Sequence, residues 1–151
     1  GFLSKRSTMS AFLSTIPHWQ KEINRGKYIS VCYIDYRKAF DSISISLLLK
    51  KIMSYGVSGC LLNFLAAFLR DRMQSVAINN ARSRTYYTTS GVPQGTCLGP
   101  LLFLLYINDL PKILPVGVFC SIYADDAKIY TVNNPALLQE AISSIAKWSA
   151  K

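Results

Sequence analysis

Two strand-like runs separated by a tetrapeptide constrain the fold more than any other part of the sequence. Val118 to Tyr123 and Lys128 to Val132 are rich in β-branched and aromatic residues, and Ala124-Asp125-Asp126-Ala127 lies between them. Runs of this kind joined by so short a segment pair as an antiparallel hairpin. The hairpin places two adjacent carboxylates at its tip. Taken alone, such a pair is most simply a turn, because aspartate tolerates the backbone angles of turns.

Another carboxylate ends an apolar run. Tyr28 to Asp35, YISVCYID, is typical of a buried strand with a polar tip. Acidic residues are scarce, 8 against 17 Lys and Arg, so aspartates at strand ends need a reason. Divalent cations held by a few carboxylates and by substrate phosphates offset such a concentration of negative charge. Asp35 and Asp125 are 125 − 35 = 90 residues apart, but adjacent strands of one sheet would bring them together.

The composition favours a compact protein with a polyanionic partner. Half of the residues are apolar, which is enough for a sizeable core, and the formal net charge is +9. The longest apolar stretch, 98–114, is interrupted by glycine, proline and polar residues, so neither a transmembrane segment nor a signal peptide is predicted. We therefore expect no membrane partner. The chain starts without methionine and stops inside a predicted helix, which suggests a piece of a longer protein.

The cysteines do not form a metal-binding or disulfide pattern. They are widely spaced, without a C-x-x-C pair, and the chain has a single histidine. The spacing predicts buried thiols in a reducing compartment. The cysteines are Cys32, Cys60, Cys97 and Cys120.

Hydrophobic periodicity predicts the remaining elements. Helices are expected over 8–19 and 42–55, after Ser58-Gly59 up to Arg70, over 101–110 and after Asn134-Pro135, with a second hairpin formed by 74–78 and 85–89. The Gly- and Pro-rich segment 90–100 is predicted as a loop that feeds the 101–110 helix. This order predicts an α+β fold, with helices on one face of a small, mainly antiparallel sheet. The opposite face would be free for a ligand.

Three segments carry a resemblance to a known family. VCYIDYRKAFDSI, SGVPQGTCLGPLLFLLYIND and SIYADDAKIY, in this order, resemble motifs A, B and C of reverse transcriptases, particularly those of non-LTR (LINE-like) retrotransposons of jockey or CR1 type. GFLSKRSTMSAF resembles the finger region of the same family. The resemblance implies a polymerase palm over 28–69 and 91–151, with finger-like segments over 1–27 and about 70–90. The chain is expected to stop before the thumb, so activity is expected of a longer protein.

The resemblance also implies a metal site and a reaction. Asp35 would bind two Mg²⁺ ions, for which Mn²⁺ is a substitute, and the carbonyl of Tyr36 would be a further ligand. Asp125 would bind metal directly, while Asp126 would act at the periphery. The implied activity is RNA-directed DNA polymerisation, in which a primer 3′-hydroxyl attacks the α-phosphate of a deoxynucleotide and pyrophosphate leaves.

Nucleotide contacts follow from the same resemblance. Phe40 would lie below the sugar of the incoming nucleotide and exclude a 2′-hydroxyl, although a core role for this ring remains open. Gln94 and Gly95 belong to a loop that would touch the nascent base pair.

The resemblance further implies contacts to nucleic acid. Lys5, Arg6 and Tyr123 are the candidates, with a solvated basic surface as the alternative for the first two. A second basic group either follows a template or keeps the surface soluble. It consists of Arg70, Arg72, Arg82 and Arg84.

The implied partners are an RNA template, a DNA primer, deoxynucleotides and the rest of a parent polyprotein, with a thumb and, as a candidate further domain, an endonuclease. The expected location is the nucleus or the cytoplasm. One alternative is an inactive polymerase-like fragment whose binding of nucleic acid does not change when Asp35 or Asp125 is substituted. Another is a reverse transcriptase of the group II intron maturase type, and a third is an interaction scaffold.

Overall fold

The computed structural model describes residues 7–150, without the side chains of Thr8 and Ala11. The predicted contacts of Lys5 and Arg6 lie outside these residues. In chain order the elements are α1 (Thr8–Ile23), β1 (Ile29–Asp35), α2 (Ile45–Ser54), α3 (Gly59–Leu69), β2 (Met73–Gln74), β3 (Ala77–Ile78), β4 (Ala81–Arg82), β5 (Tyr86–Tyr87), α4 (Leu98–Ile107), a short 3-10 helix (Leu110–Ile113), β6 (Phe119–Tyr123), β7 (Asp126–Val132) and α5 (Pro135–Ser149). They form two compact units, one combining the chain up to Tyr36 with the chain from Asn108, the other being Arg37–Ile107.

The first unit is built on a sheet of order β1-β7-β6 in which both pairs are antiparallel. The predicted α+β class is therefore confirmed. The sheet places β7 between β1 and β6, so the tip of the β6–β7 hairpin lies beside the end of β1. The β1–β7 register runs from Ile29 opposite Val132 to Asp35 opposite Asp126.

The β6–β7 hairpin is tighter than predicted. Its turn consists of Ala124 and Asp125 alone, because the ladder continues to the pair Tyr123 and Asp126. Ala124 has a φ of 54°, a region that an L-residue other than glycine rarely adopts. Asp126 is consequently the first residue of a strand.

Side chains alternate between the two faces of this sheet. The face of Ala127 and Ile129 is fully buried, and α5 contributes Leu138, Ala141 and Ile145 to the same core.

The opposite face is only partly free, because α1 packs against it. His18 of α1 lies against Phe119, with ring centroids 4.6 Å apart, and its Nδ1 is 2.9 Å from the hydroxyl of Tyr130. Near the tip of the β6–β7 hairpin, this face of the sheet is less covered. Tyr33 is 73% exposed, so the prediction that β1 is a buried strand is wrong at this end.

Helices α2, α3 and α4 form the second unit. Ser44 caps α2, accepting a hydrogen bond from the amide of Leu47, and Gly56 follows the helix with a φ of 88°. The core of the unit includes Leu48, Leu65 and Phe103.

Helix α4 begins and ends three residues before the predicted bounds. Pro100 is accommodated in its first turn, where a missing amide hydrogen costs little. The helix stops at Ile107 because Pro111 would clash with the carbonyl of that residue.

The second hairpin consists of two short ladders, rather than the single pair of strands predicted. β2 pairs with β5, and β3 pairs with β4 around a turn at Asn79 and Asn80. Between the ladders, Ser83 accepts the amide of Val76 on its side-chain oxygen and donates its own amide to the carbonyl of Val76. All strand residues of this hairpin are exposed, so no packing against a core lengthens the strands.

Across residues 7–150, no helix has the length and apolarity needed to span a membrane.

Candidate functional site

The first unit brings two of the predicted aspartates face to face. Asp35 and Asp126 are the last register pair of β1 and β7, and Asp125 lies in the adjoining turn. The sequence predicts that adjacent strands bring Asp35 and Asp125 together, and the register pairs Asp35 with Asp126, the residue that follows Asp125. Directly opposed residues of an antiparallel pair have Cβ atoms about 4.5–5.5 Å apart, and like charges there are destabilising.

No described basic side chain neutralises these carboxylates. The ion pairs formed within residues 7–150 join Glu22 to Arg25 at 2.9 Å and to Lys27 at 2.7 Å. Asp35 and Asp126 are both exposed, so their oxygens are open to solvent. In the same part of the chain, no three His, Cys, Asp or Glu side chains are arranged to hold a metal ion together. Two facing carboxylates suit a cation that takes its other ligands from phosphates and water, as Mg²⁺ does.

A cavity of about 330 Å³ lies in front of this pair. Its wall contains Asp35 and Asp126 together with Tyr33, Tyr123 and Phe12. The predicted nucleic-acid-binding Tyr123 thus shares a surface with the two carboxylates. Aromatic rings beside a carboxylate pair form a surface on which a flat ligand can stack.

Lys128 provides the positive charge of the cavity wall. Its Nζ donates to Oγ1 of Thr15 at 3.1 Å and lies 5.1 Å from the ring centroid of Trp19. Partial burial lowers the pKa of this ammonium. Lys128 is not among the predicted site residues. Its position two residues after Asp126 on β7, which places both side chains on one face of the sheet, is the signal that could have indicated it.

The side chain of Tyr36 contacts the α5 side of the sheet. Its ring meets that of Trp148 edge-on, with centroids 6.2 Å apart. Burial, with a smaller effect of Cys120, raises its pKa to about 12, and burial raises the pKa of Cys120 to about 11. This side chain is a packing element, so only the backbone carbonyl of Tyr36 remains available for the predicted metal contact.

Two of the cysteines contradict the prediction of buried thiols. Cys60 and Cys97 are exposed, whereas Cys32 and Cys120 are half-buried. All of them are free thiols.

The predicted nucleotide contacts lie in the second unit. Phe40 is half-buried and stacks on the buried ring of Phe103, with centroids 4.5 Å apart and an interplanar angle of 21°. This contact supports the core role that the sequence left open, without testing a contact to a sugar.

The loop carrying Gln94 is bonded to the segment that follows Phe40. The amide of Gly91 donates to the carbonyl of Ile43 at 2.8 Å, and that of Val92 to the carbonyl of Phe40 at 2.9 Å. Nε2 of Gln94 donates to Oδ1 of Asp41 at 2.8 Å. Within the second unit, the loop of the segment that resembles motif B is thus joined to residues 40–43, the end of the segment that resembles motif A.

Gly91 and Gly95 occupy this loop for different structural reasons. Gly91 has a φ of 83°, and a Cβ there would lie 2.7 Å from Cα of Asp41. A glycine is needed here because the loop passes very close to the backbone of Asp41. Gly95 has a φ of 75° and open space around it. The hydroxyl oxygen of Thr96 accepts the amide of Gly99 at 3.1 Å and so caps the start of α4.

Comparison with known proteins gives a consistent result. The family model described as reverse transcriptase (RNA-dependent DNA polymerase) matches residues 1–151. The chain is 28% identical to the RNA-directed DNA polymerase from mobile element jockey of Drosophila funebris, over 100% of this chain and 18% of that protein. It is 31% identical to the probable RNA-directed DNA polymerase from transposon BS of Drosophila melanogaster, over 98% of this chain and 17% of that protein. It thus spans less than a fifth of these relatives.

Proposed function

Because the chain belongs to the reverse transcriptase (RNA-dependent DNA polymerase) family, we propose that it supplies the nucleotidyl-transfer site of a retrotransposon RNA-directed DNA polymerase. The observation that carries the proposal is the pairing of Asp35 with Asp126, unneutralised and exposed beside Asp125. Folding gains nothing from opposed like charges, so a ligand that needs them is the simplest reason for their presence.

The aspartates fit a pair of Mg²⁺ ions, with Mn²⁺ as a substitute. When bound, two such ions activate an attacking oxygen and stabilise a leaving one. Asp35 and Asp125 are the proposed direct ligands, with the carbonyl of Tyr36, and Asp126 is the proposed peripheral carboxylate. The sheet fixes Asp35 and Asp126 relative to each other, while the two-residue turn holds Asp125 next to them.

The substrates are proposed to be an RNA template, a DNA primer and deoxynucleotides. Tyr123 and Phe12 offer rings for stacking at the carboxylate cavity, and Lys128 offers a cation for a phosphate of the primer strand. Gln94 and Gly95 would contact the nascent base pair, and Phe40 the sugar.

The domain assignment follows the family. We propose that 28–69 and 91–151 belong to a palm and that 1–27 and about 70–90 are finger-like. A thumb and the rest of a polyprotein would complete the enzyme, which would act in the nucleus or the cytoplasm.

Primer extension tests this proposal. A protein containing this chain and extended through the thumb is given an RNA template, a DNA primer, deoxynucleotides and MgCl₂. Extension by the wild type, with background levels for Asp35→Asn and Asp125→Asn, is the expected result. Asp71→Asn is the matched control, since Asp71 is an exposed acid of the other unit.

A different pattern would refute the proposal. If the folded wild type binds RNA in a salt-sensitive way but never extends a primer across metals and templates, the chain is a binding module instead.

A further inference from the structure

Arg72 connects parts of the second unit that are far apart in sequence. Its Nε donates to the carbonyl of Leu69 at 3.1 Å, and its Nη2 donates to the carbonyls of Ser90 at 3.2 Å and Gly91 at 2.6 Å. Its own carbonyl accepts the amide of Thr88 at 2.8 Å. The guanidinium therefore joins the end of α3 to the beginning of the Gln94 loop.

The chemistry of this contact favours an arginine. Leu69 ends α3, where carbonyls lack partners within the helix and the helix dipole attracts a cation. Hydrogen bonds from an ionised donor are stronger than neutral ones, and the planar guanidinium holds several carbonyls in a fixed geometry. The carbonyls therefore compensate its charge, since the ion pairs formed within residues 7–150 involve Glu22 instead.

The contact is followed by a series of hydrogen bonds to the predicted nucleotide-binding residues. Beside the carbonyls that Arg72 holds, the hydroxyl of Ser90 donates to the carbonyl of Asp41 at 2.7 Å, and the amide of Gly91 donates to the carbonyl of Ile43. Further along the loop, Gln94 bonds the carboxylate of Asp41. Gly91 has no room for a side chain there, because an added Cβ would lie 2.7 Å from Cα of Asp41.

We propose that Arg72 is a positioning residue for nucleotide selection, fixing the Gln94 loop against the Phe40 segment. This inference deepens the proposed function and depends on it. The guanidinium acts through the carbonyls of Ser90 and Gly91, rather than by tracking a template as a member of the second basic group. A polar cavity of about 700 Å³, lined by Arg72 and Gln94 among others, is the space whose shape it maintains.

The test uses the full-length polymerase with Arg72→Met and Arg72→Lys. Misplacing a substrate-contacting loop by about 1 Å costs up to about 100-fold in rate. We therefore expect kcat/KM for deoxynucleotides to fall roughly 10-fold or more in Arg72→Met, chiefly through a higher KM, because the loop contacts the nucleotide and not the reacting metal site. Discrimination against ribonucleotides and mismatched bases should fall, while kcat at saturating deoxynucleotide changes less. Arg72→Lys should recover part of the loss. Lys50→Met, which removes an exposed charge from α2, should behave as wild type.

Hydrogen exchange separates this inference from the proposed function. The amides of Gly91 and Val92 should lose protection in Arg72→Met and keep it in Lys50→Met. If the wild type does not extend primers, the proposed function fails, yet hydrogen exchange still reports whether Arg72 holds the loop at Ser90 and Gly91. Unchanged protection in Arg72→Met overturns the inference, as does a variant that melts at a lower temperature but keeps wild-type KM and discrimination well below that temperature.

Discussion

Asp35 and Asp126 oppose each other across antiparallel strands, and neither forms an ion pair with a described basic side chain. Removing the charge of Asp126 should therefore relieve repulsion and, at the same time, take a peripheral carboxylate away from the proposed metal site. In EDTA, we expect Asp126→Asn to be more stable than wild type by about 0.2–1 kcal/mol. MgCl₂ should raise the melting temperature of the wild type more than that of Asp126→Asn.

Thermal denaturation with and without MgCl₂ measures both effects. Asp71→Asn serves as the control, because its carboxylate is exposed, and asparagine, like aspartate, tolerates the φ of 52° at this position. Equal responses of wild type and Asp126→Asn to MgCl₂ would argue against a metal at this pair.

The sequence predicts the strands that carry the aspartates, but it does not predict how those strands pair. The apolar runs and the tetrapeptide between β6 and β7 indicate strands and a hairpin. Which hairpin strand β1 joins is decided by tertiary packing, and the turn length decides which aspartate faces Asp35. The turn closes around Ala124 at a positive φ, and propensity does not favour such a conformation for alanine.

Gly91 offers a test of the close approach between the two motif segments. Gly91→Ala would set a Cβ 2.7 Å from Cα of Asp41 and 2.9 Å from the carbonyl oxygen of Phe40. Strain at positive φ costs roughly 1–2 kcal/mol and overpacking roughly 1–3 kcal/mol more, so a loss of several kcal/mol is expected. Urea denaturation measures it. Gly56 has a φ of 88° and open space around it, so Gly56→Ala should lose only the stability that strain at positive φ costs. Equal losses of stability in the two variants would contradict the close approach at Gly91.

Phe40 should contribute to stability as well as to any selection of the sugar. Phe40→Ala removes the stack on Phe103, and since Phe40 is only half-buried, the loss should fall below the roughly 3–5 kcal/mol of a fully buried phenylalanine. Incorporation of ribonucleotides by the full-length enzyme should increase in the same variant. Phe64→Ala removes an exposed ring of α3 and should change stability little and selection not at all. Destabilisation without a change in sugar selection would leave Phe40 a core residue.

Burial distinguishes Cys120 from the exposed cysteines. A thiol reacts as its thiolate, and burial raises the pKa of Cys120 to about 11. At pH 8, alkylation followed by mass spectrometry should modify Cys60 and Cys97 well before Cys120. Reaction at Cys120 should accelerate as the pH rises toward 11. Comparable rates at pH 8 for Cys120 and Cys60 would show that the sheet face under α5 opens readily.

Contacts made by single polar side chains were the least predictable part of the candidate site. The sequence places Arg72 in a group of neighbouring basic residues, and nothing in its local sequence predicts a contact with the carbonyls of Ser90 and Gly91. Those carbonyls come from a loop 18 and 19 residues away. Lys128 likewise depends on α1 for its neighbours Thr15 and Trp19.

Glu22 gives the first unit a dependence on acid pH. Its buried carboxylate accepts from Lys27 at 2.7 Å and Arg25 at 2.9 Å, and the hydrogen bond with Lys27 contributes most to lowering its pKa below the usual 4.5. The unfolded chain takes up this proton at a higher pH than the folded protein does. The stabilisation is thus complete above about pH 5 and declines as the pH falls through 4.5 toward the lowered value. Urea unfolding at pH 6, 4 and 3 should show a smaller decline for Glu22→Gln than for wild type. Glu140→Gln, an exposed acid of α5, should follow the wild type, and parallel curves for all three proteins would rule out the ion pairs as the source.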